Sequence, residues 1–179
     1  LVGSEMCIRD SSSIIAETNA AADALKAGPD GADLVVLLVH EGAPDTSLAS
    51  ASSNNNAFGR IVNGVDSDVN AIISGHTHLA YNHVIGGRPV VSAGQYGTNL
   101  NKLLFTVDPD TNQVTFNGGE IVRANTVTVT DSAAVATKNA VQQSVNSAVA
   151  QADVLGAKVL GKVGGAFNRA KLADGTTEN

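Results

Sequence analysis

Asp33-Leu-Val-Val-Leu-Leu-Val39 runs without a break into His40-Glu41-Gly42, and further along Val69-Asn-Ala-Ile-Ile73 runs into Ser74-Gly75-His76-Thr77-His78. The first run is aliphatic, has the length of a strand and shows no polar alternation. Such a run is expected where both faces of a sheet are covered. The second is a shorter apolar strand of the same kind. Two parallel strands ending this way bring their terminal histidines to one rim of the sheet, where α/β proteins place their ligands.

Working outward, Ser11 to Ala27 reads as a helix, with Ser12 and Ser13 available as caps and Ile15, Ala22 and Leu25 on one face. Gly28-Pro29-Asp30-Gly31 ends it. Between the two strands, Ser52-Ser53-Asn54-Asn55-Asn56 is loop-like and Phe58 to Val62 reads as a short helix. Beyond His78, Asn82 to Ile85 and Arg88 to Ser92 read as a hairpin around Gly86-Gly87. Leu103 to Val107 and Gln113 to Asn117 read as another, joined by Asp108-Pro109-Asp110-Thr111-Asn112. Glu120 to Val129 is a further extended stretch. Ala133 to Ala152 has helical spacing in Val135, Val141, Val145 and Val149, with Asp131 or Ser132 as cap. Val154 to Val163 reads as a glycine-punctuated strand. The order α, β, α, β, hairpins, long helix predicts an α/β sandwich followed by a linker helix.

The 179 residues suffice for one domain, or one domain and part of another. Hydrophobic residues make up 43% and aromatics 3%, with no Trp, so the core must rest on Val, Ile, Leu and Ala. The net charge is −6 and the 11 Lys and Arg are scattered, which argues against a nucleic-acid polymer as partner. No apolar stretch is long enough for a transmembrane helix. The single cysteine, Cys7, excludes an internal disulfide framework. Residues 1–10 hold the one Cys and the one Met, lead into no motif, and read as a non-native or disordered end.

Chemistry concentrates in His40, His76 and His78. In extended backbone, residues i and i+2 point to the same side, so the His-x-His pair could reach one ion, or one each of two ions about 3.5–4 Å apart. Gly75 would permit an unusual backbone angle and close approach of the chain to an ion. Imidazole suits Zn, Fe, Mn or Ni more than Ca. Each feature also has a plainer reading: a lone histidine after a strand is more often a hydrogen-bonded structural residue, and a bare His-x-His is common by chance. His83, on a hairpin, reads as a surface histidine. Glu41 and Asp45 read as solvated loop carboxylates, or else as orienters of His40. No phosphate-binding loop, dinucleotide fingerprint or serine nucleophile elbow is present; Gly94-Gln-Tyr-Gly97 and Gly161-Lys-Val-Gly-Gly165 lack the full spacing.

Leu37-Leu-Val-His40-Glu-Gly42, Ile72-Ile-Ser-Gly-His76-Thr-His78 and Val90-Val-Ser-Ala-Gly94-Gln-Tyr-Gly97, continuing through Leu100 to Val107, together resemble the bacterial bifunctional 5′-nucleotidase and 2′,3′-cyclic-nucleotide phosphodiesterase family of calcineurin-like metallophosphoesterases. The resemblance covers roughly Asp33 to Val129. It implies a four-layer αββα sandwich, of which residues 11–130 would be the second half, 131–153 a linker helix and 154–179 the start of the nucleotidase C-terminal domain. It implies two divalent ions, Zn, Mn or Fe, with His40 and His76 on one and His78 on the other. It implies hydrolysis of nucleotide phosphoesters by a metal-bridging hydroxide, and a periplasmic or extracellular setting. The family's Asp-x-His, Gly-Asp and Asn-His blocks do not precede His40, so no residue here takes the leaving-group acid role and no substrate-binding residue is assigned. The expected partners are therefore a nucleotide or other phosphate ester, together with an N-terminal half and a C-terminal domain of the same protein; Thr176-Thr-Glu-Asn179 reads as the lead-in to the latter. An alternative is an exported binding or surface-structural protein that keeps the scaffold without catalysis. A further one is a simple mononuclear metal site.

Overall fold

The computed structural model describes residues 11–124, 128–162 and 164–165. Residues 1–10 and the lead-in Thr176–Asn179 lie outside the described residues. The chain divides into two units, Leu1–Thr126 and Val127–Asn179.

In the first unit the order is α1 (Ser11–Lys26), β1 (Val36–Val39), α2 (Leu48–Ala51), α3 (Ala57–Gly64), β2 (Ala71–Ser74), β3 (Ala80–Ile85), β4 (Arg88–Ala93), β5 (Asn99–Val107) and β6 (Val114–Arg123). Among the described residues this is an α/β protein with a mixed four-stranded sheet, order β1-β2-β4-β3, and a two-stranded hairpin, β5-β6. β1, β2 and β4 run parallel, and β3 returns antiparallel to β4. The Gly86-Gly87 turn has positive φ at both residues (61° and 81°), the requirement of a two-residue hairpin that follows the strand twist.

The core gathers Ala22 from α1, Phe58, Ile61 and Val62 from α3, and Val35, Ile72, Tyr81 and Val90 from the sheet and its approach. Burying each large side chain of this kind stabilises the fold by about 1.5–3 kcal/mol before entropy is counted. α3 is capped by Asn56, whose Oδ1 accepts the Gly59 N–H at 2.7 Å. Its far end is held by Arg88, which donates Nη1 to Asp66 and Val69 and Nη2 to Val62 and Val65, all through backbone carbonyls at 2.7–3.3 Å. Partial burial lowers the Arg88 pKa, against an opposing pull from Asp66.

Several expectations need correction. β1 is not covered on both faces: Leu38 is 73% exposed and Val36 37%. β1 lies at a sheet edge and only alternate side chains reach the core. α1 starts at Ser11, so Ser12 and Ser13 lie inside the helix, and Leu25 is exposed rather than packed. The second hairpin is longer than expected, and the extended stretch from Glu120 continues β6 as far as Arg123; residues 125–127 of that stretch lie outside the described residues. Pairing with β5 as far as Asn99↔Arg123 draws those residues in.

The second unit contains α4 (Ser132–Gly156), capped by Asp131, whose Oδ1 accepts the Ala134 N–H at 2.9 Å. Val154 to Val163 is not a strand. Val154 to Gly156 finish α4, residues 157–162 form none, and Val163 lies outside the described residues. The Ala157 N–H still bonds to the Asp153 carbonyl. Local helical bonds are satisfied within the segment, whereas a strand needs a pairing edge.

Candidate metal centre

β1 and β2 pair in register through Val39↔Ser74, so His40 leaves one strand end beside the Ser74-Gly75-His76 exit of the other. The rings of His40 and His76 stand 5.1 Å apart, centroid to centroid, at 65°. Two imidazole nitrogens at about 2.0–2.1 Å from one tetrahedral ion would put ring centroids about 5 Å apart. The pair therefore fits two positions of a single coordination sphere. Both side chains are exposed at an open rim.

His78 does not join them. Its ring lies against Tyr96, centroids 5.7 Å apart. Among the described residues no group of three or more His, Cys, Asp or Glu side chains converges on a possible ion position. The His-x-His segment is not extended: φ is 67° at His76 and 61° at His78. These left-handed conformations remove the i, i+2 alternation. They carry a cost of about 1–2 kcal/mol per residue, and such strain gathers at functional sites. Tyr96, in the facing loop, has φ 56° as well and is 85% exposed.

Gly75 does not supply the unusual backbone angle expected of it, and a Cβ there would meet nothing nearer than His40 Nδ1 at 3.9 Å. The tight approach belongs to Gly42, where a Cβ would come within 2.4 Å of the Gly75 carbonyl oxygen and 2.5 Å of Thr77 Oγ1. The two histidine loops are thus in backbone contact, tied by the Gly75 N–H to the Glu41 carbonyl at 3.2 Å. Thr77 Oγ1 is buried between them without a hydrogen-bond partner.

The Glu41 carboxylate accepts the neighbouring Gly42 N–H at 3.1 Å. Asp45 is a solvated loop carboxylate: the Ser47 hydroxyl, and then the Ser47 N–H at 2.8 Å, hold its pKa below the ordinary value. His83 is a part-exposed histidine with two partners. Its Nε2 sits 3.0 Å from the Thr46 carbonyl oxygen and its ring stacks on Tyr81 at 5.5 Å and 11°. The Asn82-His83 dipeptide lies within β3, and the Asn82 amide donates to Gly119, away from the pair. A cavity of about 300 Å³, lined by residues that include Arg88, Phe105 and Phe116, lies at the Gly86-Gly87 end of β4, not at the histidine rim.

No protein-family model matches the chain, and no curated protein sequence matches it. Among solved structures, the chain is similar to a presumptive 5′-nucleotidase from Staphylococcus aureus, solved in complex with alpha-ketoglutarate. The TM-score is 0.49 and the identity 15%, over 69% of this chain and 24% of that one. The chain spans about a quarter of that protein's length.

The apolar runs that precede His40 and His76 placed both at one rim, where their rings meet. It missed Gly42, whose signal is its place directly after His40-Glu41. It also missed Tyr81, whose role depends on contacts distant in sequence.

Proposed function

We propose that this chain is part of a two-metal phosphoesterase acting on nucleotide phosphomonoesters, and on 2′,3′-cyclic nucleotides as a second substrate class. His40 and His76 would hold one divalent ion (Zn, Mn or Fe) and His78 the other. The observation that carries this reading is the His40–His76 ring pair, 5.1 Å apart at the ends of two parallel strands, within the three sequence blocks quoted above. When bound, such ions supply an activated water and charge stabilisation for the phosphoryl oxygens. The chain's own residues present imidazole donors at an open rim, where a phosphate ester can approach. The complete domain would be a four-layer αββα sandwich outside the cytoplasm, with residues 131–153 as linker and 154–179 leading into a further domain. The unpaired edge of β1 and the exposed Leu38 support that larger sheet.

A second reading, a mononuclear site on a scaffold without catalysis, is favoured by one observation: His78 faces Tyr96 rather than the pair. Calorimetric titration with Zn²⁺ on wild type, His76→Ala and His78→Ala separates the two. In a complete two-metal domain both substitutions would reduce the heat of binding, whereas the mononuclear reading expects only His76→Ala to do so there. Equal binding by wild type and His76→Ala would remove both.

A further inference from the structure

Tyr81 is 3% exposed, yet its hydroxyl reaches both histidine-bearing strand ends. It accepts the N–H of Ala43, in the loop that leaves His40, at 3.2 Å. It lies 2.6 Å from Ser74 Oγ, at the end of β2 two residues before His76. Ser74 Oγ in turn donates to the Val91 carbonyl on β4 at 3.0 Å.

These contacts fix the direction of every proton. The serine hydroxyl has one hydrogen and spends it on Val91, so the tyrosine must donate to the serine. The tyrosine oxygen is then free to receive the Ala43 N–H. The result is an ordered chain from Ala43 to Tyr81, to Ser74, to Val91, in which each hydroxyl donates once and accepts once. The Tyr81 ring is held between Phe58 at 6.2 Å and the stacked ring of His83 at 5.5 Å. His83 is anchored at the Thr46 carbonyl, in the same loop that carries Ala43.

We propose that Tyr81 is a positioning residue, whose hydroxyl locks the loop after His40 to the end of β2 and thereby sets the His40–His76 ring spacing. The proposal rests on the metal-site reading above. Buried polar chains with every member satisfied rigidify their surroundings, and groups that orient metal ligands influence metal affinity about 10–100-fold. Apolar packing alone would not demand the hydroxyl, because phenylalanine fills the same volume.

The test uses the full chain as wild type, Tyr81→Phe, Ser74→Ala, Ser74→Thr and His76→Ala. Amide hydrogen exchange is followed without metal, and Co²⁺ affinity is followed by visible absorption. For Tyr81→Phe, exchange at Ala43 and Gly75 should rise about tenfold, the equivalent of one lost hydrogen bond, while Ile72 and Val90 keep wild-type protection. Co²⁺ affinity should fall about tenfold or more. Ser74→Ala breaks the same chain without altering the aromatic core and serves if Tyr81→Phe does not fold. It should move both readouts the same way, and Ser74→Thr, which keeps the hydroxyl, should retain wild-type values. Unchanged Ala43 exchange in both Tyr81→Phe and Ser74→Ala would overturn the lock. So would an unchanged Co²⁺ affinity in these variants while His76→Ala loses binding. If wild type and His76→Ala bind Co²⁺ equally, the metal reading fails, and the lock stands or falls on exchange alone.

Discussion

Gly42 and Gly75 meet backbone to backbone: a Cβ built on Gly42 would come within 2.4 Å of the Gly75 carbonyl oxygen. The loops that follow β1 and β2 can sit this close only because residue 42 has no side chain. Gly42→Ala should therefore force the two loops apart, at a cost of about 1–3 kcal/mol typical of overpacking. A drop in the urea midpoint would report it. The same displacement should separate the His40 and His76 rings and weaken Co²⁺ binding, whereas alanine at the unobstructed Gly156 in α4 should leave binding unchanged.

Arg88 illustrates a different kind of closure. Four of its five N–H groups go to the carbonyls of Val62, Val65, Asp66 and Val69, and its Nε is buried without a partner. The Val62 carbonyl lies in the last turn of α3, where no intrahelical donor is available, and the other three lie in the segment between α3 and β2. Arg88→Met should cost about 2–4 kcal/mol, since hydrogen bonds to a charged donor contribute about 1.5–3 kcal/mol each and water can reach some of the freed carbonyls. Arg88→Lys should recover less than half of that loss, because an ammonium cannot reproduce the planar fork. Chemical denaturation of the two variants side by side checks both statements.

The contrast between these positions and the histidines shows what was legible in the sequence. Apolar runs ending in His40 and Ser74-Gly75-His76 announced two strands and their shared rim, because burial leaves a local signature. Parallel pairing brings His40 and His76 to that rim, and the loops that follow set the 5.1 Å between their rings. The failures share one cause: they depend on partners far along the chain. Leu38 reads as core but lies on an edge strand. The left-handed φ of His76 and His78 is dictated by the loops they join, not by their own preferences. Tyr81 looks like an ordinary strand residue until Ala43 and Ser74 are seen against its hydroxyl.

Leu38, 73% exposed on the edge strand β1, leads to a prediction about association. An apolar four-residue edge without a charged guard is a template for pairing between chains. Leu38→Lys should leave the denaturation midpoint within the equivalent of about 0.5 kcal/mol. It should also reduce concentration-dependent light scattering. A loss of stability well beyond that margin would mean that the side chain is covered in solution.

Asp108 carries a pH dependence whose sign is fixed by the turn it organises. Its carboxylate accepts the Asp110 N–H at 2.9 Å and the Thr111 N–H at 3.0 Å, and these bonds, the Asp110 one first, hold its pKa below the ordinary value. A carboxyl depressed in the folded state contributes stability above its unfolded pKa, about 3.9, and loses it as pH falls through the lower folded value. The stability difference between wild type and Asp108→Asn should accordingly be full at pH 6 and shrink progressively below about pH 4. Urea melts of the two proteins at pH 6, 4 and 2.5 test this. A difference that grew on acidification would contradict the turn assignment.

The histidine rim sets a limit on what this chain does unaided. Among the described residues, two imidazoles converge, a third faces Tyr96, and no carboxylate completes a group of three. A two-metal phosphoesterase centre holds its ions about 3.5–4 Å apart and needs ligands to both. Two converging nitrogens can hold one ion weakly but leave most of its coordination sphere to solvent. The isolated chain should therefore hydrolyse neither p-nitrophenyl phosphate nor AMP at an enzymatic rate, with Zn²⁺ or Mn²⁺ supplied, even while His40 and His76 bind metal measurably. The check is a phosphate-release assay on purified protein with and without EDTA, with His76→Ala as the blank. Turnover that EDTA abolishes and His76→Ala lacks would mean that the ligands present here suffice, and the requirement for further carboxylates would have to be abandoned.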